Sequence, residues 1–258
     1  MSQRTNSGFA PLCVTPDLCQ SLKRHGIVEP TPIQGKAIPV AMSGADLVGI
    51  AQTGTGKTLA FGLPMVQLLK PGQVGLVLAP TRELAQQIAE TFHKLHVPCV
   101  LVIGGASMGK QVQQLRREHR VIVATPGRLQ DHLNQKTVRL DRVSIVVLDE
   151  ADRMLDMGFA PAIKKILDTV PKRRQTLMFS ATMPKEIADL ADAYLYRPVR
   201  IDDDAGPCHR VIVGFAHAAA KATDEVQVRA ARDPGAAHNR LRRRGRATDD
   251  VRAPDRAF

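Results

Sequence analysis

The chain has 258 residues and 44% hydrophobic content, which suffices for one large domain or for a domain with a tail. No apolar stretch reaches transmembrane length and the amino terminus has no signal-peptide core, which argues against membrane and secreted classes. We therefore expect a cytoplasmic protein with no membrane partner. The net charge of +11 favours a polyanionic partner.

The cysteines and the carboxyl-terminal charge set further limits. Four cysteines show no CxxC spacing and no grouping with histidine, so we expect reduced thiols and no structural metal. Residues 229–258 hold nine arginines and four aspartates, a net charge of +5, and few large apolar side chains. Such a segment cannot offset its ordering entropy by burial. We predict a folded domain over residues 1–204, and a linker with a disordered basic tail over residues 205–258.

Short apolar runs alternate with amphipathic stretches along the first domain. Predicted strands cover 46–51, 74–79, 99–103, 120–124, 143–148 and 175–180. Predicted helices cover 57–69, 82–95, 108–117, 127–134, 150–169 with a break near Gly158, and 184–194. Continuous apolar strands suit a parallel sheet covered on both faces. The alternation predicts an α/β fold with a doubly wound, mostly parallel sheet, whose ligands bind where strands run into loops.

The loop after the first predicted strand has the composition of a phosphate-binding loop. Its glycines allow the backbone to wind around an anion, and the helix that follows adds its positive end. Lys57 supplies a charge for the outer phosphates, and Thr58 supplies a hydroxyl for a magnesium ion. The alternative is a glycine turn before an ordinary helix. The candidate loop consists of Ala51, Gln52, Thr53, Gly54, Thr55, Gly56, Lys57 and Thr58, with Ala51 where the pattern usually has a glycine.

A second motif, Asp149-Glu150-Ala151-Asp152, ends the apolar run 143–148. A carboxylate at this strand end can hold magnesium, and its neighbour can deprotonate a water for attack on a γ-phosphate. The alternative is a polar cap at a helix start. The phosphate loop upstream favours the catalytic interpretation.

Further segments occur in a fixed order with these two motifs. They are Glu29-Pro-Thr-Pro-Ile-Gln34, Pro80-Thr-Arg-Glu-Leu-Ala85, Gly104-Gly105, Thr125-Pro-Gly-Arg128 and Ser180-Ala-Thr182. Together the segments resemble the motifs of the DEAD-box ATP-dependent RNA helicases. The resemblance covers about residues 8–204, the whole first RecA-like domain of that family, which has a P-loop NTPase fold. It implies ATP and Mg²⁺ as cofactors, RNA as partner, and ATP hydrolysis coupled to RNA strand separation.

The resemblance also implies roles for individual residues at the nucleotide. Gln34 would read adenine, because one amide both donates and accepts, and Phe9 stands at the family's isolated upstream aromatic. Residues 52–58 would hold ATP, with Lys57 on the phosphates and Thr58 and Asp149 at the magnesium ion. Glu150 would be the general base.

Two more groups of residues follow from the resemblance. Backbone contacts to RNA, which carry little sequence information, would come from Arg82, Gly105, Thr125, Gly127 and Arg128. Asp152, Ser180 and Thr182 would couple the nucleotide site to RNA separation, with Asp152 hydrogen-bonded to the other two. The ordinary alternatives are surface ion pairs for the arginines and helix caps for Thr125 and Ser180.

The chain departs from the family in two places. Ile27 stands where the family has an aromatic that packs on adenine, and isoleucine offers no π face. Too few residues follow 204 to hold a second RecA-like domain with arginine fingers, so hydrolysis by this chain alone is expected to be slow. We hypothesise a frameshifted or truncated gene.

Two alternatives to the helicase function stay open. One is a nucleotide- and RNA-binding module without turnover. The other is a P-loop kinase of a small metabolite, but a kinase would leave the RNA-contact segments unexplained.

Overall fold

A computed structural model describes residues 8–203 of the chain. The predicted tail at 205–258, and with it the basic segment 229–258, lies outside the described residues. The domain assignment to residues 1–204 therefore stays a prediction at its carboxyl-terminal boundary.

The described residues form a seven-stranded sheet flanked by helices, and every strand pair is parallel. The strands are β1 (Leu47–Ile50), β2 (Val74–Leu78), β3 (Cys99–Val102), β4 (Val121–Ala124), β5 (Val143–Leu148), β6 (Gln175–Ser180) and β7 (Val199–Asp202). The helices are α1 (Pro16–Arg24), α2 (Pro32–Met42), α3 (Lys57–Leu68), α4 (Arg82–Lys94), α5 (Met108–Arg116), α6 (Pro126–Asn134), α7 (Ala151–Asp156), α8 (Ala160–Thr169) and α9 (Lys185–Tyr194). The predicted α/β fold with a parallel sheet is confirmed, and its spatial strand order is β3-β4-β2-β5-β6-β1-β7.

The alternation of apolar and amphipathic stretches in the sequence predicts most of these elements. All six predicted strands exist, and the predicted break near Gly158 separates α7 from α8. Three elements, α1, α2 and β7, were not predicted from the sequence. In β7 only Ile201 is buried, so this short edge strand lacks the continuous apolar run that marked the others.

Helices cover both faces of the sheet. On one face, residues of α6, α8 and α9 join a buried cluster with alternate strand residues such as Val146, Leu148 and Met178. On the other face, Phe61 of α3 packs against Phe179 of β6, with 5.7 Å between the ring centroids. Met178 and Phe179 are neighbours in one strand, so their side chains point to opposite faces. The sheet is therefore doubly wound, as predicted.

Two glycines of the sheet make room for large side chains, Gly49 for Phe179 of β6 and Gly75 for Met65 of α3. A Cβ on Gly49 would lie 2.8 Å from the Phe179 ring, and a Cβ on Gly75 would collide with the Met65 sulfur. The packing around both glycines is so dense that a side chain at either position would displace a core residue. The close packing holds α3 against the strands, and the loop of residues 51–56 leads directly into this helix.

Within residues 8–203, no helix combines the length and the apolar character needed to cross a membrane. Cys13, Cys19 and Cys99 are free thiols. Burial raises the pKa of the Cys99 thiol to about 12.

Candidate functional site

The loops that follow the strands meet at one edge of the sheet, which we call the carboxyl edge, because all seven strands run in the same direction. The strand order divides this edge into two halves. Neighbouring strands β5, β6 and β1 end in Asp149–Glu150, Ser180–Thr182 and the 51–56 loop. Neighbouring strands β3, β4 and β2 end in the candidate RNA-contact segments. The strand order therefore sorts the sequence motifs into two groups, which we name the nucleotide half and the RNA half after the ligands that the sequence leads us to expect.

The 51–56 loop has the backbone conformation that its glycines predict. Gly54 and Gly56 have φ values of 88° and 92°, which disfavour other residues, and Gly56 is the N-cap of α3. Apart from Leu59 N, which donates to the Gly56 carbonyl at 3.2 Å, the first backbone N–H groups of α3 have no carbonyl of a preceding turn to donate to. An anion placed at this helix start would accept hydrogen bonds from them.

Lys57 and Asp149 form a buried pair of charged residues at the base of this loop. Their exposed fractions are 6% and 2%, and Lys57 Nζ donates to the Ala51 carbonyl at 3.0 Å. Burial raises the pKa of Asp149 to about 6, and the nearby Lys57 ammonium limits the rise. A carboxylate held this far from water is stabilised by any cation that reaches it.

Glu150 is held in an uncommon backbone conformation. Its φ of 53° lies in the left-handed region, which carries a cost for a residue with a side chain. Thr53 Oγ1 donates to its carboxylate at 3.0 Å, and Arg153 Nη1 lies 3.3 Å from the other oxygen. The phosphate loop therefore touches the candidate general base directly, across 97 residues of sequence.

The side chains in this half suit a magnesium ion bound together with phosphates. Asp149 is a buried carboxylate, and the Thr58 hydroxyl belongs to the residue after Lys57. Among the described residues, no group of three or more His, Cys, Asp or Glu side chains could cage a metal. Mg²⁺ commonly takes one or two protein oxygens and completes its shell with water and nucleotide phosphate. The donor set fits that arrangement.

Gln34 is buried and joins the start of α2 to the end of the phosphate loop. Its Nε2 donates to the Gly56 carbonyl at 2.9 Å, and its Oε1 accepts from Thr31 N at 3.1 Å. A Cβ on Gly56 would collide with Gln34 Nε2. Nε2 keeps a second hydrogen to donate and Oε1 keeps a second lone pair to accept with. Gln34 can therefore hold the loop and still hydrogen-bond to the edge of a base.

An apolar cavity of about 130 Å³ lies beside the phosphate loop. Gly56 and Thr58 line it together with Ile27, the residue that replaces the family's aromatic. The lining also includes Leu22, His25, Leu59, Thr91, Lys94 and Leu95. No motif indicated these six residues, because ordinary helix residues such as the core leucines Leu22 and Leu95 give no motif signal. Phe9 is buried but does not line this cavity.

Asp152 connects the end of β5 to the end of β6. Its Oδ2 accepts from Ala181 N at 3.1 Å, Thr182 N at 2.9 Å and Thr182 Oγ1 at 3.0 Å. Ser180 Oγ in turn accepts from Asp152 N at 3.2 Å. The hydrogen bonding predicted between these segments is present. It holds the pKa of Asp152 below its ordinary value despite opposing desolvation.

In the RNA half, a groove of about 410 Å³ runs between the ends of β2, β4 and α7. Its lining includes four predicted contact residues, Arg82, Thr125, Gly127 and Arg128. It also includes Pro80, Thr81, Glu83 and Gly104 from the same motif segments, and Asp131, Met157 and Phe159, which no motif indicated. Met157 and Phe159 give the groove an apolar wall.

Gly105, the fifth predicted contact, makes room for an arginine. Its φ is 79°, and a Cβ there would collide with the Arg82 guanidinium, which lies against the Gly104 carbonyl. From the sequence, Gly105 is expected to let the RNA backbone approach closely. The structure shows that it also allows Arg82 to cross the 103–107 loop.

Arg128 belongs to a polar network that the sequence did not indicate. Its Nε donates to Gln111 Oε1 at 3.0 Å, and its Nη2 donates to the Ala106 carbonyl at 2.7 Å. His132, completely buried, contacts Gln111 Oε1 through Nε2 and Thr137 through Nδ1, both at 2.8 Å. Desolvation and the Arg128 charge lower the His132 pKa. The network fixes the guanidinium and the 103–107 loop relative to α6.

The fold and site define a P-loop nucleotide-binding protein with two motif-bearing halves at one sheet edge. A family model described as DEAD/DEAH box helicase matches residues 31–190. The chain belongs to this family.

Individual relatives agree with the family model. ATP-dependent RNA helicase CshA of Listeria monocytogenes is 46% identical over 197 residues, covering 74% of this chain and 38% of its own length. ATP-dependent rRNA helicase RRP3 of Debaryomyces hansenii is 47% identical over 201 residues, covering 75% of this chain and 42% of its own. The chain thus spans about two fifths of these relatives. A solved DEAD box protein from the hyperthermophile Methanococcus jannaschii is 36% identical, has a TM-score of 0.74, and matches over 77% of this chain and 56% of its own.

Proposed function

We propose that this chain is the ATP-binding part of an ATP-dependent RNA helicase, in which it binds ATP with Mg²⁺ and contacts the RNA backbone. In the intact architecture, ATP hydrolysis would be coupled to separation of RNA strands. The observation that carries the proposal is the contact between the phosphate loop and the Asp149–Glu150 pair. Thr53 Oγ1 meets Glu150 at 3.0 Å beside the buried Asp149.

At the nucleotide, each residue has a distinct task. The free N–H groups at the start of α3 and the Lys57 ammonium would bind phosphate oxygens. Lys57 would exchange its contact with the Ala51 carbonyl for these oxygens. Thr58 and Asp149 would hold Mg²⁺, which when bound neutralises phosphate charge. Gln34 and the cavity beside Ile27 would take the base.

Glu150 is the proposed general base. Its carboxylate is nearly buried and lies next to the phosphate loop, where it can accept a proton from a water molecule positioned at the outer phosphate. The Thr53 hydroxyl and Arg153 orient the two carboxylate oxygens. A base held in this way needs little reorganisation when the water attacks.

The RNA half would contact phosphates through the Arg82 guanidinium and the amides at the start of α6, near Thr125, Gly127 and Arg128. Gly105 would act through the position of Arg82. Asp152, Ser180 and Thr182 would couple the nucleotide site to RNA separation, because their hydrogen bonds tie the segment that follows Glu150 to the end of β6. We further propose that the protein acts in the cytoplasm, with its thiols reduced.

Single-turnover hydrolysis of labelled ATP, with and without RNA, tests this proposal. RNA-stimulated release of phosphate, abolished by Glu150→Gln, is the expected result. Tight ATP binding with no hydrolysis under either condition would instead support a nucleotide- and RNA-binding module. Phosphate transfer to a small-molecule acceptor would support a kinase and contradict the helicase function.

A further inference from the structure

The loops that precede the strands lie at the edge of the sheet opposite to the nucleotide, which we call the amino edge. They cover residues 43–46, 69–73, 95–98, 117–120, 135–142, 170–174 and 195–198. These loops hold ten Lys or Arg residues against three Asp or Glu residues. The parallel topology places all of them on one side of the molecule, although they are scattered over 156 residues of sequence.

Three of the ten basic side chains have structural partners. Arg120 donates to the Val66 and Leu69 carbonyls at 3.2 and 2.7 Å, at the end of α3. Arg139 pairs with Asp141 at 3.2 Å, and the charge of Arg174 interacts with the buried Asp46. Capping of helix ends and ion pairing therefore account for these three cations.

Six others are exposed, and their side chains make no hydrogen bond or ion pair within residues 8–203. They are Lys70, Arg117, Lys136, Arg142, Lys172 and Arg173. They belong to the loops before β4, β2, β5 and β6, which are consecutive in the sheet. Backbone hydrogen bonds from Val74 N to Arg142 O and from Gly75 N to Arg120 O, at 3.0 and 2.9 Å, join three of these loops.

The dimensions of this cluster suit a nucleic-acid backbone. Four neighbouring strands span about 14 Å at about 4.8 Å per interval. Double-stranded nucleic acid carries about one negative charge per 1.7 Å of axis, so about eight charges fall within this width. Six cations thus fall within a width that holds about eight phosphate charges, and three of the six are arginines.

The surface has the character of a nucleic-acid interface more than of a protein interface. Protein interfaces have apolar, charge-depleted centres, whereas nucleic-acid interfaces are polar and strongly positive. Among the described residues the exposed large hydrophobic side chains are Val28, Met157 and Tyr196, and only Tyr196 lies at the amino edge. Tyr196 is 73% exposed, with the Arg197 guanidinium 5.5 Å from its ring centroid. An exposed aromatic beside arginine can stack on a base.

We propose that the amino edge is a second RNA-binding surface, which binds the phosphate backbone of duplex RNA and is separate from the groove at the carboxyl edge. The inference rests on the proposed function only for the choice of RNA as the polyanion. A surface of this kind would hold a substrate RNA irrespective of nucleotide state, because no described residue of the nucleotide half belongs to it.

Two adjacent Lys-Arg pairs in the chain provide a matched test. Lys172 and Arg173 belong to the amino edge, whereas Lys23 and Arg24 end α1, next to residues that line the cavity beside Gly56. All four side chains are exposed, and reversing either pair to Glu changes the net charge by the same amount. Fluorescence anisotropy with a labelled RNA duplex, without nucleotide, measures the affinity of the full chain at about 50 to 200 mM salt.

Reversal of Lys172 and Arg173 is expected to weaken duplex binding about tenfold and to lower the salt-dependence slope by about 1 to 2. Reversal of Lys23 and Arg24 is expected to change the affinity about twofold or less, because only the long-range field changes. Equal affinities of the two variants would overturn the proposal. So would equal competition by poly-glutamate of matched charge, which would indicate an acidic protein partner. Thermal unfolding checks that both variants are folded.

Measuring the RNA affinity with and without ATP distinguishes a failure of this proposal from a failure of the proposed function. If the carboxyl edge does not bind RNA, ATP will not change the RNA affinity, while the difference between the two pair variants persists. If only the amino-edge proposal is wrong, ATP will still change the RNA affinity and the two variants will match.

Discussion

The two edges of the sheet differ in where their charges lie and in how they are paired. At the carboxyl edge the cations Lys57, Arg82 and Arg128 belong to the starts of helices, and each contacts a backbone carbonyl. The carboxyl-edge loops 51–56, 79–81, 103–107, 149–150 and 181–184, with Thr125, hold no Lys or Arg and only two acidic residues. Both, Asp149 and Glu150, are buried. The amino-edge loops hold ten basic residues, of which six are exposed and unpaired among the described residues.

The two edges are therefore suited to binding an anion in two different ways. At the carboxyl edge, a few buried groups and backbone amides each have a fixed partner, so the geometry selects one ligand. At the amino edge, many solvated charges act together through their field, and each contributes little. Single substitutions should therefore have large effects at the first edge and small, additive effects at the second.

The largest expected effect is at Glu150. Glu150→Gln removes the proposed base but keeps the size of the side chain, so we expect single-turnover hydrolysis to fall by about 10²–10⁴-fold. ATP affinity, measured by calorimetry, should remain within a small factor of the wild-type value. Unchanged hydrolysis would remove Glu150 from the proposed mechanism.

The next effect concerns the stability of the unliganded protein at different pH values. The folded-state pKa of Asp149 is raised from 3.8 to about 6, so its contribution to stability is present at acid pH and is lost as pH rises through 6. Asp149→Asn removes the charge, so the variant should exceed wild type by about 3 kcal/mol in free energy of unfolding above pH 7. Denaturant unfolding at several pH values measures the difference, which should shrink toward pH 4. A difference independent of pH would contradict the assignment.

A smaller effect is expected at the link between β5 and β6. Asp152→Ala leaves two backbone N–H groups of residues 181 and 182 without their acceptor, which should cost about 1–2 kcal/mol of unfolding free energy. RNA stimulation of hydrolysis should fall more than basal hydrolysis. Asp156→Ala, at the exposed end of the same helix, is the matched control and should be nearly neutral. Equal effects of both substitutions would mean that the hydrogen bonds contribute nothing measurable.

The smallest effect compares one glycine from each edge. Gly105 and Gly72 have φ values of 79° and 80°, so alanine should cost each of them about 1 kcal/mol of stability. A Cβ on Gly105 would displace Arg82, whereas a Cβ on Gly72 meets nothing within 4 Å. Gly105→Ala should therefore weaken single-stranded RNA binding several-fold more than Gly72→Ala. Identical RNA affinities of the two variants would show that Arg82 does not need its present position.

The sequence predicted the sheet and the motif loops because both depend on local patterns. Strands such as β5 are continuous apolar runs, and Gly54, Gly56 and Lys57 stand at fixed spacing. It did not predict α2, where Gly35 and the internal Pro39 weaken the helical pattern. It did not predict the edge strand β7 either, since one buried side chain does not define a period.

The missed functional features depend on contacts between distant segments. Gln111 of α5 meets Arg128 and His132 of α6 only after the two helices have packed together, and neither Gln111 nor His132 belongs to a motif. The amino-edge charge has the same origin, because each loop contributes at most three cations. Only the parallel strand order brings these loops to one side.

Magnesium-dependent ATP binding by wild type and Asp149→Asn tests the central claim most directly. The claim is that the carboxyl edge binds ATP through the phosphate loop and the buried carboxylate of β5. Calorimetry should show that Mg²⁺ tightens ATP binding to wild type, while Asp149→Asn, though more stable, loses most of this gain. ATP binding that is absent from wild type, or that responds equally to Mg²⁺ in both proteins, would contradict the claim.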